Sequence, residues 1–103
     1  MNFPFKQKRS GDKLIREFSK DSSADELVWH RDHSDRVVKV MEGKGWLLQM
    51  DNRVPTLMEV GKQYLIPKNT YHRVIKGSTD LVLEINENLH IREYIGRILN
   101  ETS

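Results

Sequence analysis

Cysteine is absent from all 103 residues, which excludes a disulfide frame, a thiolate metal site and a cysteine nucleophile. No run comes near the roughly 18 consecutive apolar residues that a membrane helix needs. The opening stretch MNFPFKQKRSGDK lacks the apolar segment and small-residue cleavage site of a secretory signal. These absences lead to the expectation of a cytoplasmic protein with no membrane partner. A phosphate-cradling glycine loop, a G-x-S-x-G elbow and an H-E-x-x-H pair are also missing. Charge of one sign is in short supply as well, with a formal net charge of +2. Lys6, Lys8, Arg9, Lys13, Arg16 and Lys20 cluster near the start, but only 8% of residues are aromatic and no recognition motif surrounds the cluster. The cluster therefore reads as solvated surface, and no nucleic-acid partner is expected.

The composition that remains, 37% hydrophobic and 31% charged, suits one globular domain with a single core. Period-2 alternation of apolar and polar residues dominates and predicts strands over Lys13–Phe18, Glu26–Asp32, Arg36–Met41, Trp46–Asp51, Thr56–Val60, Gln63–Ile66, Tyr71–Ile75 and Asp80–Ile85. Turn-forming stretches separate them, among them EGKG, DNRVP and KGSTD. Short strands at roughly ten-residue spacing point to an all-β antiparallel barrel or sandwich. The tail changes period: Leu89, Ile91, Ile95, Ile98 and Leu99 predict a C-terminal amphipathic helix. The expected organisation is an N-terminal arm and leading strand over 1–23, a barrel core over 24–86 and the helix over 87–103. Leu14, Ile15 and Phe18 ahead of the core are consistent with a strand exchanged in a dimer.

The stretch LVWHRDHSDR, residues 27–36, concentrates titratable groups beside a strand. With unbroken alternation, His30, Asp32 and Arg36 share the inward face of Val38 and Val40. An inward His-x-Asp pair is costly unless it is hydrogen-bonded, ion-paired or bound to a cation. A second stretch, GKQYLIPKNTYHRVIKG at 61–77, ends a strand at Pro67, turns through Asn69 and carries His72 into the next strand. If the two strands lie opposite, His30, Asp32 and His72 form a facial triad for a divalent metal, with Fe, Mn, Ni and Zn all compatible.

Together the two stretches resemble the motifs of the cupin superfamily, small double-stranded β-helix (jelly-roll) barrels. The first cupin motif, G-x5-H-x-H-x3-4-E-x6-G, falls on Ala24, His30, Asp32, Arg36 and Gly43. The second, G-x5-P-x-G-x2-H-x3-N, falls on Gly61, Pro67, Asn69, His72 and Lys76. Asparagine at 69 tolerates the left-handed turn that glycine usually fills. Asp32 replaces a ligand histidine with a ligand carboxylate, while Arg36 puts a cation where the family places a ligand glutamate. Arg36 then has two roles open to it: clamping a ligand carboxylate or phosphate, or pairing with Asp32 in a metal-free barrel. Arg36, Tyr64 and Lys76 are the candidate substrate contacts. Tyr71, Gln49 and Glu26 are further candidates near the cavity, and His33 joins only if a bulge breaks the alternation. Trp29 and Trp46 read as core or dimer-contact aromatics, and His90 as surface.

The resemblance implies either a metal-dependent enzyme of dioxygenase, lyase or isomerase type acting on a small anionic molecule, or a non-catalytic binding module with an Asp32–Arg36 pair. A third reading is similar to the metal-independent sugar epimerases of the superfamily, in which a His–Asp dyad acts as general base. Small cupins commonly form homodimers, so a homodimer is the expected assembly.

Overall fold

Alternating strands such as KLIREF and LVLEIN bury one face each and pair into two antiparallel sheets. The computed structural model describes residues 5–23 and 27–87. Its strands are β1 (Phe5–Ser10), β2 (Lys13–Phe18), β3 (Arg36–Glu42), β4 (Leu47–Met50), β5 (Thr56–Leu57), β6 (Gln63–Ile66), β7 (His72–Ile75) and β8 (Leu81–Asn86). The larger sheet has the order β1-β2-β8-β3-β6, and the smaller one β5-β4-β7. No helix occurs among the described residues, and the expected C-terminal helix lies outside them, as do Ala24, Glu26 and His90.

The core lies between the sheets. Leu14, Phe18, Val38, Val40, Leu83 and Ile85 from the large sheet meet Trp46, Leu48 and Met58 from the other side. Trp46 is fully buried and donates its indole N–H to the Thr79 carbonyl at 2.6 Å, so its polar atom is satisfied as well as its ring packed. A bulge at Met41, between the Val40–Leu83 and Glu42–Val82 pairs, turns the end of β3 out toward solvent.

Three sequence expectations change. Residues 5–10 form an edge strand on β2, where no element was expected, with Phe5 opposite Phe18 and Gln7 opposite Arg16. The strand expected over Glu26–Asp32 reduces, in its described part, to one bridge at His30, with bends at Leu27 before it and at His33–Ser34 after it. Arg16 does not belong to the solvated basic surface: it shares the inward face of β2 with buried Leu14 and Phe18.

Candidate metal centre

The site starts from a backbone contact. His30 N–H donates to the His72 carbonyl at 3.0 Å, and His72 N–H returns the bond to the His30 carbonyl at 2.8 Å. Directly opposed residues of an antiparallel pair present their side chains on the same face. The two imidazoles therefore meet edge to face, with centroids 4.2 Å apart. Asn69 N–H donates to the Asp32 carbonyl at 2.7 Å, and Lys68 N–H to Asp35 Oδ1 at 2.8 Å. Asn69 adopts φ of 60°, the left-handed turn anticipated for it. The turn after β6 thus grips the segment that carries Asp32, which needs no strand of its own.

Each imidazole is also oriented by its own backbone. His72 Nδ1 lies 2.9 Å from the Thr70 carbonyl, and His30 Nδ1 lies 3.2 Å from the Val28 carbonyl. A carbonyl only accepts, so Nδ1 carries a proton in both rings, and the neutral tautomer this selects offers its lone pair at Nε2. His72 Nε2 faces Asp32 Oδ2 at 3.4 Å, and that oxygen is buried without a hydrogen bond. Two lone-pair atoms face each other across the gap, which is unfavourable until a cation lies between them. Burial holds the His72 imidazolium below the ordinary histidine range, although the Thr70 carbonyl opposes that shift. One ligand atom each from His30, Asp32 and His72 lie within 4.8 Å of one another. Two imidazole nitrogens, one carboxylate oxygen and backbone-fixed tautomers fit a divalent transition-metal ion. His30 is exposed and His72 buried, so the trio is open on the His30 side.

Arg36 stands beside it. Its Nη1 lies 3.4 Å from Asp32 Oδ1 and its Nη2 lies 3.2 Å from Glu87 Oε2, while Nε is buried without a partner. The trio and Arg36 border a cavity of about 40 Å³ whose deeper wall is apolar, with Val38, Leu48, Ile66 and Ile85.

The other sequence candidates fall elsewhere. Tyr64 donates its hydroxyl proton to the Leu57 carbonyl and accepts from Glu59 N–H, bracing β6 against the turn after β5. Lys76 donates to the Ser22 carbonyl at 3.1 Å. Neither lines the cavity. His33 and Tyr71 are exposed, the latter with the Arg31 guanidinium 5.3 Å from its ring centre. Gln49 accepts from Arg73 Nε at 3.0 Å and donates to the Arg53 carbonyl, away from the trio. Trp29 is 41% exposed and lies against Arg73 rather than in the core.

Arg16 is the cavity residue that the sequence reading passed over. Its Nε and Nη2 donate to Gln7 Oε1 at 2.8 and 2.6 Å, and its guanidinium lies 3.9 Å over the Phe5 ring. Burial first, and Arg36 second, push it down to about 10 against the opposing pull of Asp32 and Glu87. The same period-2 rule that marked β2 contained the signal, since it sets Arg16 between Leu14 and Phe18.

No family model and no curated protein matches the sequence. Solved structures do match its fold. A cupin-2 domain protein from Shewanella frigidimarina is 20% identical with a TM-score of 0.61, over 85% of this chain and 85% of its own. A DMSP lyase chain is 15% identical with a TM-score of 0.62, over 71% of this chain but only 35% of its own. The hydroxypropylphosphonic acid epoxidase from S. wedmorenis, also solved as Fe(II)-HppE, is 18% identical with a TM-score of 0.56, over 71% of this chain and 40% of its own. The present chain spans well under half the length of both enzymes. Two antiparallel sheets, a His-x-Asp segment bridged to a histidine after a Pro-x-Asn turn, and these neighbours agree: the chain has the cupin fold.

Proposed function

We propose that this chain binds one divalent transition-metal ion on His30, Asp32 and His72 and acts on, or holds, a small anionic molecule beside it. The observation that carries the reading is the gap between His72 Nε2 and Asp32 Oδ2, two acceptors that face each other at 3.4 Å with no hydrogen bond on the carboxylate oxygen. A bound ion would supply Lewis acidity toward a carbonyl or water, or a binding position for dioxygen. The chain's own residues do the rest. The Val28 and Thr70 carbonyls hold the imidazoles in the ligating tautomer. Arg36 offers a guanidinium to an anion, and the apolar deeper wall excludes water from one side. The lyase and the epoxidase among the structural neighbours carry different chemistries on one barrel, so the reaction class follows from the ligand rather than from the fold.

One observation favours a second reading. Arg36 already pairs with Asp32, which suits a metal-free binding module. The sugar epimerase-like reading needs an aspartate that accepts a hydrogen bond from the base histidine, whereas Asp32 Oδ2 has no hydrogen bond and His72 Nδ1 is turned to the Thr70 carbonyl. Metal analysis of untagged protein, purified without chelator, separates the two that remain. The metal reading expects close to one iron, manganese, nickel or zinc per chain, and loss of that metal in Asp32→Ala. Clean protein that also refuses added metal supports the binding module instead. As to assembly, we propose a cytoplasmic homodimer. The dimer rests on the resemblance to small cupins, which commonly pair. Light scattering at micromolar concentration should return about twice the 12.1 kDa chain mass, and a monomer sinks the idea.

A further inference from the structure

We infer that Arg16 and Arg36 together make the metal-loaded cavity selective for a small dianion, and that ion and dianion bind with positive coupling. This rests on the metal reading above. The cavity is lined by two guanidinium groups, Arg16 and Arg36, and one carboxylate, Asp32, and a second carboxylate, Glu87, pairs with Arg36 from outside the lining. Without an ion these four charges balance. A divalent ion adds two positive charges that nothing on the described walls offsets. Partly buried charges feel one another far more strongly than they would in water. The ligand that restores balance is a dianion, and a monoanion restores half of it.

Both arginines keep donors for such a ligand. Arg16 spends Nε and Nη2 on Gln7 and retains Nη1, while Arg36 keeps a buried Nε with no partner. Arg16 is also held in place beforehand, by the Gln7 oxygen and by the Phe5 ring at 3.9 Å, so little freedom remains to be lost when an anion binds. Its position is costly in the empty cavity: an arginine between Leu14 and Phe18, facing a second arginine, is relieved by an incoming anion. Size narrows the class further. The enclosed part of the cavity, about 40 Å³, has room for an ion and only a few further heavy atoms, so the dianionic end of the ligand must be compact, as in a short dicarboxylate or a phosphonate or phosphate group. Both present one oxyanion oxygen to the ion and others to the guanidinium groups.

The test is calorimetric titration of metal-free and Mn(II)-loaded protein with malonate, methylphosphonate and acetate. The inference expects malonate or methylphosphonate to bind the loaded protein at least tenfold more tightly than acetate does. Affinity should also be at least tenfold tighter than to the metal-free form. Reciprocity requires the dianion to tighten Mn(II) binding by the same factor. Whichever of the two binds better identifies the dianion geometry. Arg16→Met should lower dianion affinity by tenfold or more while tightening Mn(II) binding, because a repelling cation has gone; that gain also reports a folded site. Arg16→Lys, which keeps the charge without the fork, should recover part of the loss. Protein that takes up no Mn(II) overturns the metal reading itself. Protein that takes up Mn(II) but binds acetate as well as malonate and methylphosphonate, or an Arg16→Met variant with unchanged dianion affinity, overturns the present inference alone.

Discussion

At Arg36 one guanidinium bridges two carboxylates, Asp32 at 3.4 Å and Glu87 at 3.2 Å, with its side chain 15% exposed. Replacing it with methionine keeps the volume and removes the cation. Both carboxylates then lose their cation, Glu87 keeping only the Ser34 hydroxyl at 3.4 Å, and chemical denaturation of the metal-free variant should show a loss of about 3 kcal/mol, the low end for a buried pair. The same change removes a positive charge from beside the ion, so metal affinity measured by calorimetry should rise. A fall in metal affinity would mean that Arg36 orients Asp32 rather than competes for it. His72 makes a pH-dependent contribution of definite sign. Its folded value lies below the unfolded one, so the unfolded chain takes up the proton first as pH drops. That stability is fully present above about pH 6.5 and is lost as pH falls through the lower folded value. Melting curves of metal-free protein between pH 7.5 and 5 should show the decline, and His72→Gln should flatten it. An equally steep decline in the variant would place the responsible group elsewhere.

Among the elements, the connections after β3 and β7 are pinned to each other at one crossing. A side-chain carbon added to Gly77 would collide with the Lys44 carbonyl oxygen and lie 2.6 Å from Trp46 N, both of them main-chain atoms that cannot swing aside. Gly77→Ala should therefore destabilise by more than the roughly 1 kcal/mol typical of a point change, and Trp46→Ala by about 3–5 kcal/mol. Denaturant titration checks both, and a neutral Gly77→Ala would mean that the crossing is loose. The strands framing this crossing were legible as short apolar-rich runs bounded by turn-forming stretches, although LLQM is apolar on both parities and β3 buries the adjacent Val37 and Val38. β1 was not: FKQKRS carries a single apolar residue, pairs on one side only and shows the exposed pattern that protects a sheet edge. The site was legible in its residues but not in its backbone. His30, Asp32 and Arg36 reach the same cavity, yet strand alternation, which carries Arg36 in step with Val38 on β3, does not deliver His30 and Asp32. Main-chain bonds from His72 and Asn69 do, and such long-range bonds leave no periodic trace. Arg16 was hidden by its charge, since a run of basic residues near a terminus reads as solvated until the apolar neighbours two positions away on either side are weighed.

For the whole molecule, the pairing of β2 with β8 joins Lys13 to Asn86 and Phe18 to Leu81, so most of the chain must be in place before the large sheet closes. The metal trio spans the same distance in miniature: the segment at 30–32 and the start of β7 meet only in the folded state. An ion that binds the folded chain alone should raise the melting temperature with concentration, by the equivalent of about 2.7 kcal/mol at one hundred times its dissociation constant. Scanning calorimetry against added Mn(II) measures this, and a melting temperature indifferent to metal would show that the trio does not form a cation site. The reciprocal backbone bonds between His30 and His72 have a further consequence for how such a barrel can change over generations. Amide groups, which every residue but proline supplies, set where the side chains start. Mutation can therefore trade one donor for another at these positions without rebuilding the scaffold. A histidine at 32 or a glutamate at 36 would retune the preferred ion and the charge of its companion, so a new chemistry lies within one or two codon changes of the present one.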